Sequence, residues 1–131
     1  MVLSSTLRRS KLSAKALGLT VVEENPIFNE ADVPVVKIPW IKLRPKSWLI
    51  VLRLLLILGL GKKESSLNRA KADANKATDR LIALSQEYKE VILVGHGGKN
   101  WLMKNIFLSK GWHLKGKAST QNWGTMTFTQ V

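Results

Sequence analysis

Apolar and polar residues alternate along this chain with two periods, and each change of period marks an element boundary. Val2–Leu3 reads as the tail of a strand. Ser4, Ser5 and Thr6 are residue types that cap helices. Leu7, Ser10, Ala14 and Leu17 then follow at steps of three and four, which predicts a helix to about Leu17 with Gly18 as its stop. Thr20–Val22 is a short β-branched run and predicts a second strand. Leu67, Ala70, Ala74, Ala77, Leu81, Leu84 and Tyr88 form one apolar stripe, which predicts a helix from Ser66 to Tyr88. The stripe is rich in alanine, so this helix can lie close against a sheet. Pairing as a coiled coil is the weaker alternative, because alanine fills a seam poorly. Val91–Val94 reads as a fully buried strand. Helical spacing returns over Lys99–Lys110 through Leu102, Ile106 and Phe107, and Gly111 stops it. Thr125–Gln130 alternates with period two and predicts a final strand, approached by an Asn122-Trp123-Gly124 turn. Strand and helix alternate along most of the chain, which argues an α/β fold, a three-layer αβα sandwich on a mostly parallel sheet.

Two stretches break the pattern. Glu23 to Lys46 holds prolines at 26, 34, 39 and 45 and predicts a long excursion with little regular structure. Loops of that length are uncommon unless functional. Trp48–Leu60 (WLIVLRLLLILGL) is apolar almost throughout, with Arg53 inside it. It is shorter than the roughly 20 residues that span a bilayer. Ser47 can cap it and Gly59 can end it, so a helix packed on the body of the domain is expected. The alternative is an interfacial helix that gives peripheral membrane contact through 48–60. The chain is thus read as one domain, 1–131, with 34–62 as an inserted loop and apolar helix.

Composition narrows the partners. Hydrophobic residues make up 45 % of the 131 positions and charged residues 23 %, enough to form a core and against global disorder. There is no cysteine, which excludes disulfides and thiolate metal sites and fits a reducing, cytoplasmic compartment. The N-terminus has no apolar run of the kind a secretory signal carries. The net charge of +12 admits three readings: a polyanion such as nucleic acid or an anionic membrane, a basic surface around a small phosphorylated substrate, or a solvated surface without a specific partner. The cations are spread along the whole chain rather than clustered.

Candidate chemistry gathers at two strand-to-helix junctions. In open α/β sheets ligands bind outside the carboxyl ends of strands. In VILVGHGGKN, His96 stands at such an end, Gly97 and Gly98 let the backbone approach closely, and a helix N-terminus there attracts anions. A phosphate site is one reading; a turn histidine bonded to nearby backbone is the other. STLRRSKLSA makes a second junction with two arginines in the first helical turn. Adjacent helix residues point about 100° apart. One of Arg8 and Arg9 therefore binds while the other is solvated, and arginine's fork suits phosphate oxygens.

Taken together, the junctions resemble the C-terminal part of the histidine phosphatase superfamily, the phosphoglycerate-mutase-like proteins. SSTLRRSKLSA is similar to that family's Ser-Pro-Leu-x-Arg-Ala-x-x-Thr-Ala stretch, with Thr6 in place of the proline and Ser13 in place of the threonine. Phe28–Glu30 is similar to its Leu-x-Glu segment, and VILVGHGG to its second histidine motif. The three occur in the family's order and spacing, followed by Asn-x-Gly before a strand. The resemblance implies phosphoryl transfer from a phosphomonoester through a phosphohistidine, with no cofactor and no metal. It implies Arg9, His96 and Gly97 as phosphate ligands, His96 as the second catalytic histidine, and Glu30 as proton donor or acceptor.

The family's first motif, a strand ending in Arg-His-Gly with the nucleophilic histidine, has no counterpart here. No Arg-His pair occurs, and the other histidine, His113 in GWHLKG, matches no motif and reads as a surface or edge-strand residue. The domain is therefore expected to be incomplete at its N-terminus, as a truncated product rather than a degenerate relative or half of a two-chain domain. Its sheet should hold one unpaired interior slot, through whose edge oligomers can form. The expected behaviour is weak phosphate binding without turnover. The competing expectation is a basic, non-catalytic module for nucleic acid or an anionic membrane. It accounts for the charge but not for the order of the motifs.

Overall fold

The computed structural model describes residues 1–30, 47, 50 and 64–130. The chain divides into two compact units, Met1–Ala31 with Lys71–Val131, and Asp32–Ala70. The first carries the sheets and the candidate site. The insertion 34–62 and the apolar Trp48–Leu60 stretch lie outside the described residues, Ser47 and Ile50 excepted; those two are helical.

The fold is α/β. β1 (Val2–Ser4) is the central strand of a three-stranded parallel sheet of order β2-β1-β3. β3 (Ile92–Val94) pairs with it as Val2↔Ile92, Leu3↔Leu93 and Ser4↔Val94, and β2 (Glu23–Glu24) as Leu3↔Glu23 and Ser4↔Glu24. Leu3 is wholly buried. Because all three strands run the same way, Ser4, Glu24 and Val94 end on one edge of the sheet. The expected interior slot is absent among the described strands: β1 is hydrogen-bonded on both sides. The outer edges of β2 and β3 have no described strand partner, and the three residues of β3 are half-buried.

The second strand falls later than the β-branched run predicts. Val22 is 68 % exposed and only leads in, donating its N–H to the Val2 carbonyl at 2.9 Å. The paired residues are two glutamates, each held by a cation. Glu23 pairs with Arg80 at 2.8 Å and Glu24 with Lys11. At a sheet edge, pairing partners outweigh β propensity.

α1 (Arg8–Ala16) buries Ser10 and Ala14 and leaves Leu7 and Leu17 exposed. Its end follows the expected stop. Gly18 takes φ +67°, Gly18 N–H bonds to Lys15 and Leu19 N–H to Ala14, the paired bonds of a Schellman motif. A 3₁₀ turn, Pro26–Phe28, begins with Asn25 Oδ1 accepting Ile27 N–H at 3.0 Å and seats Phe28 wholly in the core. α2 (Glu64–Glu87) buries Ala74, Ala77, Leu81 and Leu84, as the stripe predicts. Thr78 joins them, its hydroxyl satisfied by the Ala74 carbonyl at 2.8 Å. Tyr88 lies past the helix end and is exposed.

α3 (Gly97–Ser109) brings Met103 and Phe107 to the same core. The last strand does not join the main sheet. β5 (Thr127–Thr129) pairs antiparallel with β4 (His113–Lys115) in a sheet of their own. Phe128 stacks on Phe107 with centroids 4.6 Å apart, which ties that small sheet to the core. His113 is exposed on β4. Among the described residues no helix is long and apolar enough to cross a membrane.

Candidate functional site

Both junctions deliver their residues to the shared carboxyl edge. Between β1 and α1 lie Ser5, Thr6 and Leu7; between β3 and α3 lie only Gly95 and His96. The hydroxyl residues of the first junction do not cap α1, whose N-cap is Leu7 with no side-chain bond. They reach across instead. Thr6 donates both its N–H and its hydroxyl to Asn29 Oδ1, at 2.9 and 3.0 Å. Ser5 Oγ lies 2.7 Å from His96 Nε2. From inside α1, the Ser10 hydroxyl donates to the Val94 carbonyl, the last of β3.

Arg9, Glu30 and His96 meet in one hydrogen-bonded cluster. Arg9 Nε donates to His96 Nδ1 at 3.0 Å, and Arg9 Nη2 approaches Glu30 Oε2 at 3.4 Å. Glu30 Oε1 accepts the backbone N–H of Lys99 at 3.0 Å. A carboxylate from a distant segment thus caps α3 and meets the positive end of its dipole. Gly98 is required for this approach: a Cβ there would stand 2.8 Å from Glu30 Oε1. The Gly97 and Gly98 amides, at the open end of the helix, donate no hydrogen bond among the described residues. Gly97 packs against the Thr120 carbonyl, which would lie 3.0 Å from a Cβ added there. Arg8 and Arg9 are both exposed, and of the two it is Arg9 that bonds to His96 and Glu30.

His96 is 5 % exposed, and both ring nitrogens are engaged. Burial, and then the Arg9 charge, lower its pKa below the ordinary 6.5, with Glu30 opposing. The ring is therefore neutral at pH 7. Lys99 is buried in the first turn of α3, 3 % exposed, and burial lowers its pKa as well, against the attraction of Asp73 and Glu30. Arg9 stays open to solvent, its side chain 65 % exposed.

Arg9, Glu30, His96 and Gly97, the residues singled out from the sequence, stand together. The first three form a cluster joined by its own hydrogen bonds. Ser5, Asn29 and Lys99 belong to it and were not foreseen. Ser5 reads as a cap, and only the length of the β1–α1 link, three residues, hints that its hydroxyl serves another element. Asn29 adjoins Glu30, but nothing local marks it as the partner of Thr6. Among the described residues no group of three or more His, Cys, Asp or Glu can hold a metal ion. No protein-family model, no curated protein and no solved structure matches this chain.

Proposed function

We propose that this chain is a histidine-phosphatase-like domain whose carboxyl edge binds a phosphomonoester. The observation that carries the reading is the direct contact of Arg9, Glu30 and His96, drawn from three separate motifs 21 and 87 residues apart from Arg9. A chance likeness of three loose motifs gives no reason for their residues to touch. The reading takes the sheet to be covered on both faces, as an αβα sandwich. Successive strand residues point to opposite faces. Glu23 reaching Arg80 of α2 while Glu24 reaches Lys11 of α1 supports that arrangement.

The roles follow from what each group has left to offer. The Arg9 side chain is open to solvent, and its guanidinium can grip phosphate oxygens as a fork. The Gly97 and Gly98 amides add donors at a helix N-terminus. The contact from Arg9 to Glu30 is the longest of the cluster at 3.4 Å. A phosphate that draws Arg9 Nη2 away leaves Glu30 Oε2 open beside it, at the position where the resemblance implies a proton donor or acceptor. A nucleophile for a phosphohistidine route is not available at this edge. Of the two histidines in the sequence, His113 lies on β4, and both nitrogens of His96 are occupied. These 131 residues therefore bind the phosphomonoester without turning it over.

The test is calorimetric titration of inorganic phosphate and vanadate into the wild-type protein and Arg9→Met, beside p-nitrophenyl phosphate hydrolysis. Saturable binding lost in Arg9→Met, with no turnover, is expected. Binding that Arg9→Met leaves intact, or none at all, removes the proposal. Turnover abolished by His96→Ala would instead make His96 the nucleophile.

A further inference from the structure

A guanidinium carries only donors. Arg9 Nε–H therefore cannot accept a proton from His96, and the 3.0 Å contact requires a lone pair on Nδ1. A neutral imidazole has one N–H and one lone pair. With the lone pair on Nδ1, the proton sits on Nε2 and is directed at Ser5 Oγ, 2.7 Å away. Ser5 Oγ is placed to receive it. It also accepts the Leu7 N–H at 3.3 Å, and it lies in a wholly buried residue. The charges facing the ring are Arg9 from α1 and Glu30 from the loop after the 3₁₀ turn; burial and Arg9 favour the neutral ring and Glu30 opposes.

We infer that Arg9 is a positioning residue that fixes His96 in its Nε2-protonated tautomer, so that the imidazole acts at Nε2 only as a hydrogen-bond donor. Ser5 receives that donor but does not choose it. The choice is made on the other side of the ring by a guanidinium, which has only donors to offer. The consequence deepens the function proposed above and rests on it. The one N–H of His96 is committed to Ser5 Oγ. The ring has no lone pair at Nε2 with which to take the phosphoryl group.

The experiment is ¹⁵N–¹H NMR of the His96 ring in the ligand-free protein at pH 7.5. The measurement needs no phosphate, so it separates this inference from the binding proposal. In wild type, Nδ1 is expected at the unprotonated shift and Nε2 at the protonated one. In Arg9→Met the two shifts should move toward each other as the second tautomer becomes populated, with the backbone amide spectrum still that of a folded chain. Ser5→Ala should retain the Nε2–H tautomer. A protonated Nδ1 in wild type overturns the inference. So does an unchanged tautomer in folded Arg9→Met, or a switch to Nδ1–H in Ser5→Ala, which would make Ser5 the residue that decides.

Discussion

The two strand-to-helix junctions solve the same problem differently. β1–α1 has three linking residues, two of them hydroxylic, yet α1 starts without a side-chain cap. β3–α3 has two linking residues and no capping type among them, yet α3 is capped, by Glu30 from another segment. The serine and threonine that could cap the first helix are spent on His96 and Asn29. The comparison teaches that capping groups here serve cohesion between junctions rather than within them. Asn29 and Glu30 are the common stitch, one residue for each junction.

The largest test breaks both at once. Phe28 anchors the turn that presents Asn29 and Glu30, and it is wholly buried. Phe28→Ala should cost about 3–5 kcal/mol by denaturant unfolding, with both junctions loosened in hydrogen exchange. Ser5→Ala acts on the link between junctions. It leaves the buried His96 Nε2–H without its acceptor and should cost about 1–3 kcal/mol. If Ser5 served only its own junction, a loss of a few tenths would be measured.

Glu30→Ala frees the Lys99 amide of the second junction and the Arg9 guanidinium of the first. It removes a helix cap and should cost about 1 kcal/mol. Gly98→Ala displaces the same carboxylate but gains up to about 1 kcal/mol of helix propensity, so its net effect on stability should be near zero while the Lys99 amide exchanges faster. A loss as large as that of Phe28→Ala would mean that Glu30 cannot move aside.

The smallest effect is a pH slope. His96 has a folded-state pKa below the ordinary 6.5. The unfolded chain therefore binds this proton more readily, and stability rises with pH between the folded value and 6.5. It levels off above. The melting temperature should fall as pH drops from 7 through 6.5 and beyond, and His96→Asn should flatten that part of the curve. Lys99, also lowered, gives a slope of the same sign that ends near 10.5. Glu23 is lowered by its bonds to Arg80 and Asn25, so its contribution is present above 4.5 and is lost in stronger acid.

What could be read from the sequence divides along a physical line. Periodicity located α1, α2, α3 and β1 to within a few residues, because burying one face of a helix is a local constraint. It misplaced β2, where Glu23 and Glu24 pair because Arg80 and Lys11 are near, a fact of tertiary structure. It predicted a strand over Thr125–Gln130 but not its pairing with His113–Lys115, since nothing in a strand's alternation names its partner. Arg9, Glu30 and His96 were legible through their motifs. Their convergence on one edge follows from parallel strands, but that they would hydrogen-bond one another was not legible, because those bonds depend on side-chain geometry across as many as 87 residues.

The pairing of β1 with β3 has a consequence for the order of events in folding. Val2 finds Ile92, and Ser5 finds His96 across 91 residues. Closing a segment of that length costs about 2 kcal/mol more than closing one of ten residues. Non-local contacts of this kind slow folding. The Gly18 stop of α1 and the stripe of α2 can form early, but the central strand has no second neighbour until residue 94 has been made. Ser5→Ala should then speed unfolding while leaving the refolding rate almost unchanged in stopped-flow measurements, since its bond forms only after the sheet has closed.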